Sequence, residues 1–334
     1  IDRHPEYNMS DRKLLHLIDF ERGVININGI ECELLDKSYP TIDPSNPYTL
    51  TEDEQAIINH FHLSFTNSEK LKKHVYFLLQ KGSFYLARNN NLMFHASIPL
   101  NEDGTFKKVK IMDEYYSGKR LLDRLDSLVQ LACRKTTEIS EEKQSSIDYM
   151  WYLWCGADSP SFDKAKMATF ERYLLSDKEV QKEPKGWYYI LRDNAAVCDY
   201  ILDEFGVKGN HRHIINGHVP VRVFKGETPI KADGRLMVID GGFSKIYHNR
   251  TGIAGYTLVY HSRGFELVQL TPFTSTEEAI LNGTDIAGTI NIVEIVGERE
   301  KVRDTDIGRG IMVKIADLER LLYAYRKGVI KERP

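Results

Sequence analysis

Apolar positions recur along the chain with two periods, and the periods predict alternating helical and extended regions. Helical spacing runs through residues 11–21 (Leu14, Leu15, Leu17, Ile18) and 68–80 (Leu71, Val75, Leu78, Leu79). Thr51-Glu52-Asp53-Glu54 is a capping box that opens a further helix, since hydroxyl and carboxylate can each take the other's end amide. A long helix is predicted over 119–134, with Leu121, Leu122, Leu125, Leu128, Val129 and Ala132 on one face. Others follow over 145–155, 193–205, 276–282 and 315–325. The aromatic side chains of the first of these (Tyr149, Trp151, Tyr152, Trp154) read as core. Strands are predicted at 83–88, 92–94, 219–224, 235–239, 255–260, 265–270 and 290–296. The four from 219–224 to 265–270 read as one antiparallel block following His218. Asn89-Asn90-Asn91, Asp103-Gly104, Asp233-Gly234 and Arg263-Gly264 supply turns. Pro40, Pro44 and Pro47 make 38–48 an extended connector.

Composition narrows this picture. The 334 residues are 42% hydrophobic and 28% charged, enough for one large domain or two ordinary ones with a real core. The net charge of −3 comes from interspersed acids and bases, which argues against nucleic-acid binding as the main role. No apolar run reaches membrane-spanning length, so no membrane partner is expected, and no signal peptide is visible. Cys32, Cys133, Cys155 and Cys198 lack metal-site spacing and read as reduced thiols. The first residue is Ile1, which leads us to expect a portion of a longer protein.

Candidate chemistry centres on histidine. In Asn216-Gly217-His218 a glycine precedes the imidazole, and a tight turn there would point the ring into a site. His95 ends the short apolar run Leu92-Met93-Phe94, and small residues follow it. A ligand-type side chain at the carboxyl end of a buried strand is where α/β proteins build sites. Two such imidazoles can serve a dinuclear centre of mixed nitrogen and oxygen ligands, which suits Mn, Fe or Zn. Asp2-Arg3-His4 reads as a solvated terminus, and Gly209-Asn210-His211 as a chance match to a metal motif. His60, His62 and His74 read as surface or packed residues.

Three blocks resemble the last motifs of calcineurin-like metallophosphoesterases: Phe94-His95-Ala96-Ser97-Ile98-Pro99, Gly217-His218-Val219-Pro220-Val221 and Ile239-Asp240-Gly241-Gly242-Phe243. More narrowly, Tyr152-Leu153-Trp154-Cys155-Gly156, the run Lys166 to Arg172, and Asn282-Gly283-Thr284-Asp285-Ile286 are similar to bacterial class III fructose-1,6-bisphosphatases. The resemblance implies a cytoplasmic gluconeogenic hydrolase that removes the 1-phosphate of fructose 1,6-bisphosphate. It implies Mn²⁺ as cofactor, phosphoenolpyruvate as an activator, and His95 and His218 as metal ligands, and it leaves a homo-oligomer open. Lys164, Lys166 and Arg172 by motif, and Arg222 by closeness to His218, are candidates for the phosphate that is not cleaved. The family's remaining metal and catalytic motifs are absent in usable form. They are expected in an N-terminal half upstream of Ile1, leaving the isolated chain inactive.

The expected fold is α/β (α+β). Half of a metallophosphoesterase sandwich would occupy 81–116 and 204–273, interrupted by a helical insertion at 117–203. A helical flank at 1–80 and a helical tail at 274–334 complete it. The competing readings are a calcineurin-like phosphoesterase acting on phosphoproteins or dinucleotides, and a non-catalytic regulatory or oligomerising half.

Overall fold

The computed structural model describes residues 1–273, 275–283 and 288–331. The described residues contain a mixture of helices and several small sheets, and the chain divides into two compact units. The first unit comprises 1–84 and 96–191, and the second 85–95 and 192–334.

In the first unit, residues 11–21 do not form the helix their spacing predicts. They fold as short 3-10 turns leading into β1 (Ile18–Asp19), which pairs with β2 (Val24–Ile27) and through it with β3 (Ile30–Glu33). The cause lies downstream. Asn28 and Gly29, both at positive φ, close a tight antiparallel hairpin, and Leu14 and Ile18 pack on its apolar face with Ile25, Ile27 and Leu34. Local period yields to a sheet that buries the same side chains.

Other local signals hold. α1 (Glu52–Thr66) begins with both halves of the Thr51/Glu54 capping box, and α2 (Glu69–Lys81) is capped by the Ser68 hydroxyl. Neither helix buries a side chain, and Phe61, Phe65, Tyr76 and Phe77 are exposed. A two-stranded ribbon, β6 (Val109–Ile111) with β7 (Glu114–Tyr116), precedes α3 (Gly118–Cys133). Leu121, Leu122, Leu125 and Leu128 form the buried stripe of α3, which packs on α4 (Glu141–Cys155). The amino-terminal segment is anchored rather than solvated: His4 stacks on Tyr7 and its Nε2 lies 2.8 Å from Asp148 on α4. The short helices α5 (Thr169–Leu174) and α6 (Trp187–Leu191) complete this unit.

The second unit holds a five-stranded sheet. Its strands are β4 (Tyr85–Arg88), β5 (Asn91–Phe94), β8 (His213–Asn216), β9 (Ile230–Lys231) and β10 (Leu236–Val238), in the order β4-β5-β8-β10-β9. The central three run parallel, with Met93 beside Ile215 and Met237 beside Ile215 on the other side. Both edge strands are antiparallel. α7 (Ala195–Glu204), capped by the Asn194 side chain, leads into β8, and α8 (Lys245–Thr251) follows β10. A second sheet is made of β11 (Gly255–His261), β12 (Gly264–Leu270) and β13 (Gly288–Ile295). Ile215 and Met237 pack against Phe265, with Leu258 and Val293 at their margin, so the two sheets share one apolar layer. α9 (Thr276–Asn282) and α10 (Asp306–Arg326) lie where helices are predicted, although residues 284–286 of the Asn282–Ile286 block fall outside the described residues.

The predicted strand at 219–224 does not form. Pro220 has no amide to donate, Val219 N–H closes a turn onto Gly217 O, and residues 223–225 make a 3-10 turn. The strand lies on the other side of the glycine, at His213–Asn216, and it pairs in parallel with β10, so the expected antiparallel block holds only for β11 and β12.

One buried acid in the first unit has a measurable consequence. Asp163 is 4% exposed, stands at φ +48, and has no hydrogen-bond partner for Oδ2. Burial pushes its carboxyl up to about 6, against the smaller opposing pull of the Ser97 hydroxyl. A folded-state value above the unfolded one favours folding below about pH 4 and loses that contribution as pH rises through about 6. Ionised Asp163 therefore costs on the order of 3 kcal/mol at neutral pH. Asn tolerates the same backbone. Asp163→Asn should raise the melting temperature at pH 7–8 and flatten the decline in stability from about pH 4 to pH 7. An unchanged or lower melting temperature at pH 8 would contradict this.

Candidate functional site

Parallel pairing fixes what stands at the carboxyl edge of the central sheet. Asn91 lies beside His213 and Met93 beside Ile215, so β5 and β8 leave the sheet together. His95 and Gly217-His218 are the residues that follow, and Gly217 N–H donates to His95 O at 2.9 Å. The two imidazoles meet: His95 Nε2 lies 3.1 Å from His218 Nδ1, with ring planes 77° apart. These side chains are 123 residues apart in sequence.

The turn that aims His218 differs from the one expected. Gly217 is not the residue in the left-handed region; His218 itself takes φ +66. It is the middle residue of a three-residue turn closed by Val219 N–H to Gly217 O at 2.8 Å. Such turns are rare for non-glycine residues, and the strain, about 1–3 kcal/mol, persists only where the surroundings over-determine it. Three backbone bonds do so here. Gly217 N–H is held by His95 O, Asn216 O accepts from Ile239 N–H, and Asp240 O accepts from Val221 N–H.

The pair can be tested as a metal site by its spacing. Two imidazole nitrogens bonded to one ion at about 2.1 Å, at about 90–109° to each other, lie roughly 3.0–3.4 Å apart. The observed 3.1 Å fits. Among the described residues, no group of three or more His, Cys, Asp or Glu side chains is arranged to hold a metal ion. The pair is thus two donors of a site, not a full shell.

A third polar residue stands at this edge, and the sequence reading gave it no role. β10 pairs Val238 with Asn216, so Asp240 leaves the sheet beside His218. Its Oδ1 accepts from Gly242 N–H at 3.0 Å. A signal existed in the sequence: Leu236 to Ile239 is apolar, an acid ends it, and two glycines follow, much as His95 ends its own run. The other metal-like motif lies elsewhere. His211 sits before the amino end of β8 with Nδ1 2.6 Å from Glu294, and burial, ahead of the opposing Glu294 charge, holds the neighbouring His213 below its ordinary value.

The four cations proposed from sequence are all engaged by carboxylates. In the first unit Lys164 and Arg172 each lie 3.1 Å from Glu183, and Lys166 lies 2.8 Å from Glu171 and donates to Val180 O. Burial pushes Glu183 up, but the Ala168 amide and the Lys164 and Arg172 charges outweigh it and hold the carboxyl below its ordinary value. In the second unit the Arg222 guanidinium binds Glu227, with Nε at 2.8 Å.

Comparison with known proteins bears on the same residues. Residues 1–327 match the model of the Firmicute fructose-1,6-bisphosphatase family, and the chain belongs to that family. It is 57% identical over its whole length to a class 3 fructose-1,6-bisphosphatase of Phocaeicola vulgatus, covering 50% of that protein. It is 56% identical to one of Bacteroides fragilis and 53% identical to one of Clostridium beijerinckii, over 100% and 99% of this chain and 50% of each relative. The chain therefore spans about half the length of the curated relatives it matches. No solved structure matches it. Among the described residues, no helix is long and apolar enough to cross a membrane.

Two glycines at the site make opposite demands. A methyl on Gly217 would meet Asp240 Cβ at 3.5 Å and His95 O at 3.7 Å, both ordinary contacts. A methyl on Gly241 would lie 2.5 Å from Gly255 Cα, which is backbone and cannot swing away. Gly217→Ala should keep the fold, with a stability change within about 1 kcal/mol. Gly241→Ala should cost about 2 kcal/mol or more by forcing β11 outward. Denaturant melts of both variants check this; equal midpoints would refute it.

Proposed function

We propose that the chain is the C-terminal part of a class III fructose-1,6-bisphosphatase, and that His95 and His218 are two ligands of its divalent metal centre, with Mn²⁺ the preferred ion. The observation that carries this is the 3.1 Å imidazole pair, held by a strained turn at the carboxyl edge of parallel strands. Family membership supports the substrate class. The reaction is hydrolysis of the 1-phosphate of fructose 1,6-bisphosphate, a cytoplasmic step of gluconeogenesis, with phosphoenolpyruvate as an activator.

Divalent ions at such a centre polarise a phosphoryl oxygen and activate the attacking water. The residues of this chain orient. The Gly217–His95 backbone bond ties together the two strand ends that carry the rings, and the bond from Val221 to Asp240 stops the turn from relaxing. Arg222, four residues past His218, is the cation proposed to meet the phosphate that is not cleaved, exchanging Glu227 for it. Lys164, Lys166 and Arg172 could take that role only by leaving Glu183 and Glu171.

A dinuclear centre needs carboxylate donors beyond two imidazoles. We infer that they come from a segment outside these 334 residues, as the half-length coverage of the relatives suggests. The isolated chain with Mn²⁺ should then release no phosphate from fructose 1,6-bisphosphate above background. His95→Ala and His218→Ala should each weaken Co²⁺ binding at least about tenfold, Co²⁺ being bound by imidazole more tightly than Mn²⁺. Mn²⁺-dependent turnover by the isolated chain would overturn the divided centre. Undiminished Co²⁺ binding by both variants would overturn the ligand assignment.

A further inference from the structure

The sheet edge that presents the two imidazoles also presents one carboxylate. β10 runs parallel to β8, with Val238 beside Asn216 and Ile239 N–H donating to Asn216 O at 2.9 Å. One step further, Asp240 stands beside His218. The side chain is fixed: Oδ1 takes the Gly242 amide at 3.0 Å, which closes a local turn over the following glycines. The side chain lies near the histidine turn, since a methyl built on Gly217 would lie 3.5 Å from its Cβ and 3.9 Å from Oδ2. The carbonyl of the same residue accepts from Val221 N–H, beyond the turn. Asp240 thus flanks the His218 turn, with its side chain near Gly217 and its carbonyl bonded just beyond the turn at Val221.

We propose that Asp240 is a positioning residue of the metal site: its carboxylate sets one negative charge beside the His95–His218 pair and favours a divalent cation there. The inference rests on the reading of His95 and His218 as ligands. Asp240 does not complete a ligand triad with the two imidazoles, since among the described residues no group of three such side chains is arranged to hold a metal ion. It acts through its charge and through the turn it braces. Neutral imidazoles contribute no charge against a dication, so a nearby fixed anion lowers the cost of holding one in a partly buried edge.

The substitution Asp240→Asn separates charge from shape, since the amide oxygen still accepts from Gly242 N–H. The test titrates the 334-residue chain with Co²⁺, followed by visible absorption and calorimetry, for the wild type, Asp240→Asn, Asp240→Glu and His218→Ala. Thermal melts report folding. Asp240→Asn should weaken Co²⁺ binding about 10–100-fold, and the deficit should shrink as salt rises from about 0.05 M to 1 M. Asp240→Glu, which keeps the charge, should bind within about threefold of wild type. If Asp240→Asn fails to fold, the Glu variant decides alone: wild-type affinity supports the charge, and loss of binding overturns it. Wild-type affinity in Asp240→Asn, with binding lost in His218→Ala, overturns the role of Asp240 and leaves the ligand pair standing. Unchanged binding in His218→Ala, or no binding by the wild type, overturns the ligand reading and this inference with it.

Discussion

Parallel pairing of β5, β8 and β10 is the constraint on which the site depends. In a parallel ladder neighbouring strands leave the sheet at the same edge, so whatever follows each strand is delivered to one place. His95, His218 and Asp240 follow these three strands. The bonds from Gly217 to His95 and from Val221 to Asp240 extend the ladder a residue or two past its regular end. They hold His218 at φ +66, a conformation a bulky residue adopts only when its neighbours leave no alternative. The backbone positions that carry the two rings are thus set by main-chain geometry. A backbone frame built this way is stiff before any ligand arrives.

Support for that ladder comes from the layer between the two sheets of the second unit. Ile215 and Met237, on adjacent parallel strands, both point at Phe265 of β12. A slip of one residue between β8 and β10 would take Met237 out of that layer and move Asp240 away from His218. The Gly241–Gly255 approach adds a second control, since only main chain without side chains can pass so closely. Core packing and site geometry therefore specify the same register.

Charge is handled differently in the two units. In the first, Glu171 and Glu183 absorb Lys164, Lys166 and Arg172, and the arrangement ties the 161–186 region together. Lys164 and Arg172 look like anion ligands from sequence because their shared partner, Glu183, lies more than ten residues away in the chain. Asp163 is the opposite case, an acid buried without a full set of partners and raised to about 6 for that reason. At the candidate site the polar groups lie at a sheet edge, with His95 exposed.

Much of the local structure is legible in the sequence. The Thr51 capping box, the α3 stripe, the Asn89-Asn90 turn and the run ending at His95 each depend on residues a few positions apart, and each forms as its chemistry directs. Where the reading and the structure part, a distant partner intervenes. Residues 11–21 give up helical spacing to pack on the β2–β3 hairpin, and 219–224 give up a strand because their amides serve the turn at His218 and the Asp240 carbonyl. The sequence determined which side chains could do chemistry and which ends of which strands carried them. Only the tertiary structure decided that β5, β8 and β10 lie parallel and adjacent, because strand order is set by loop closure and by the shared apolar layer. That order turned two scattered histidines into a pair 3.1 Å apart and brought Asp240, which the sequence had placed in a motif without a role, beside them.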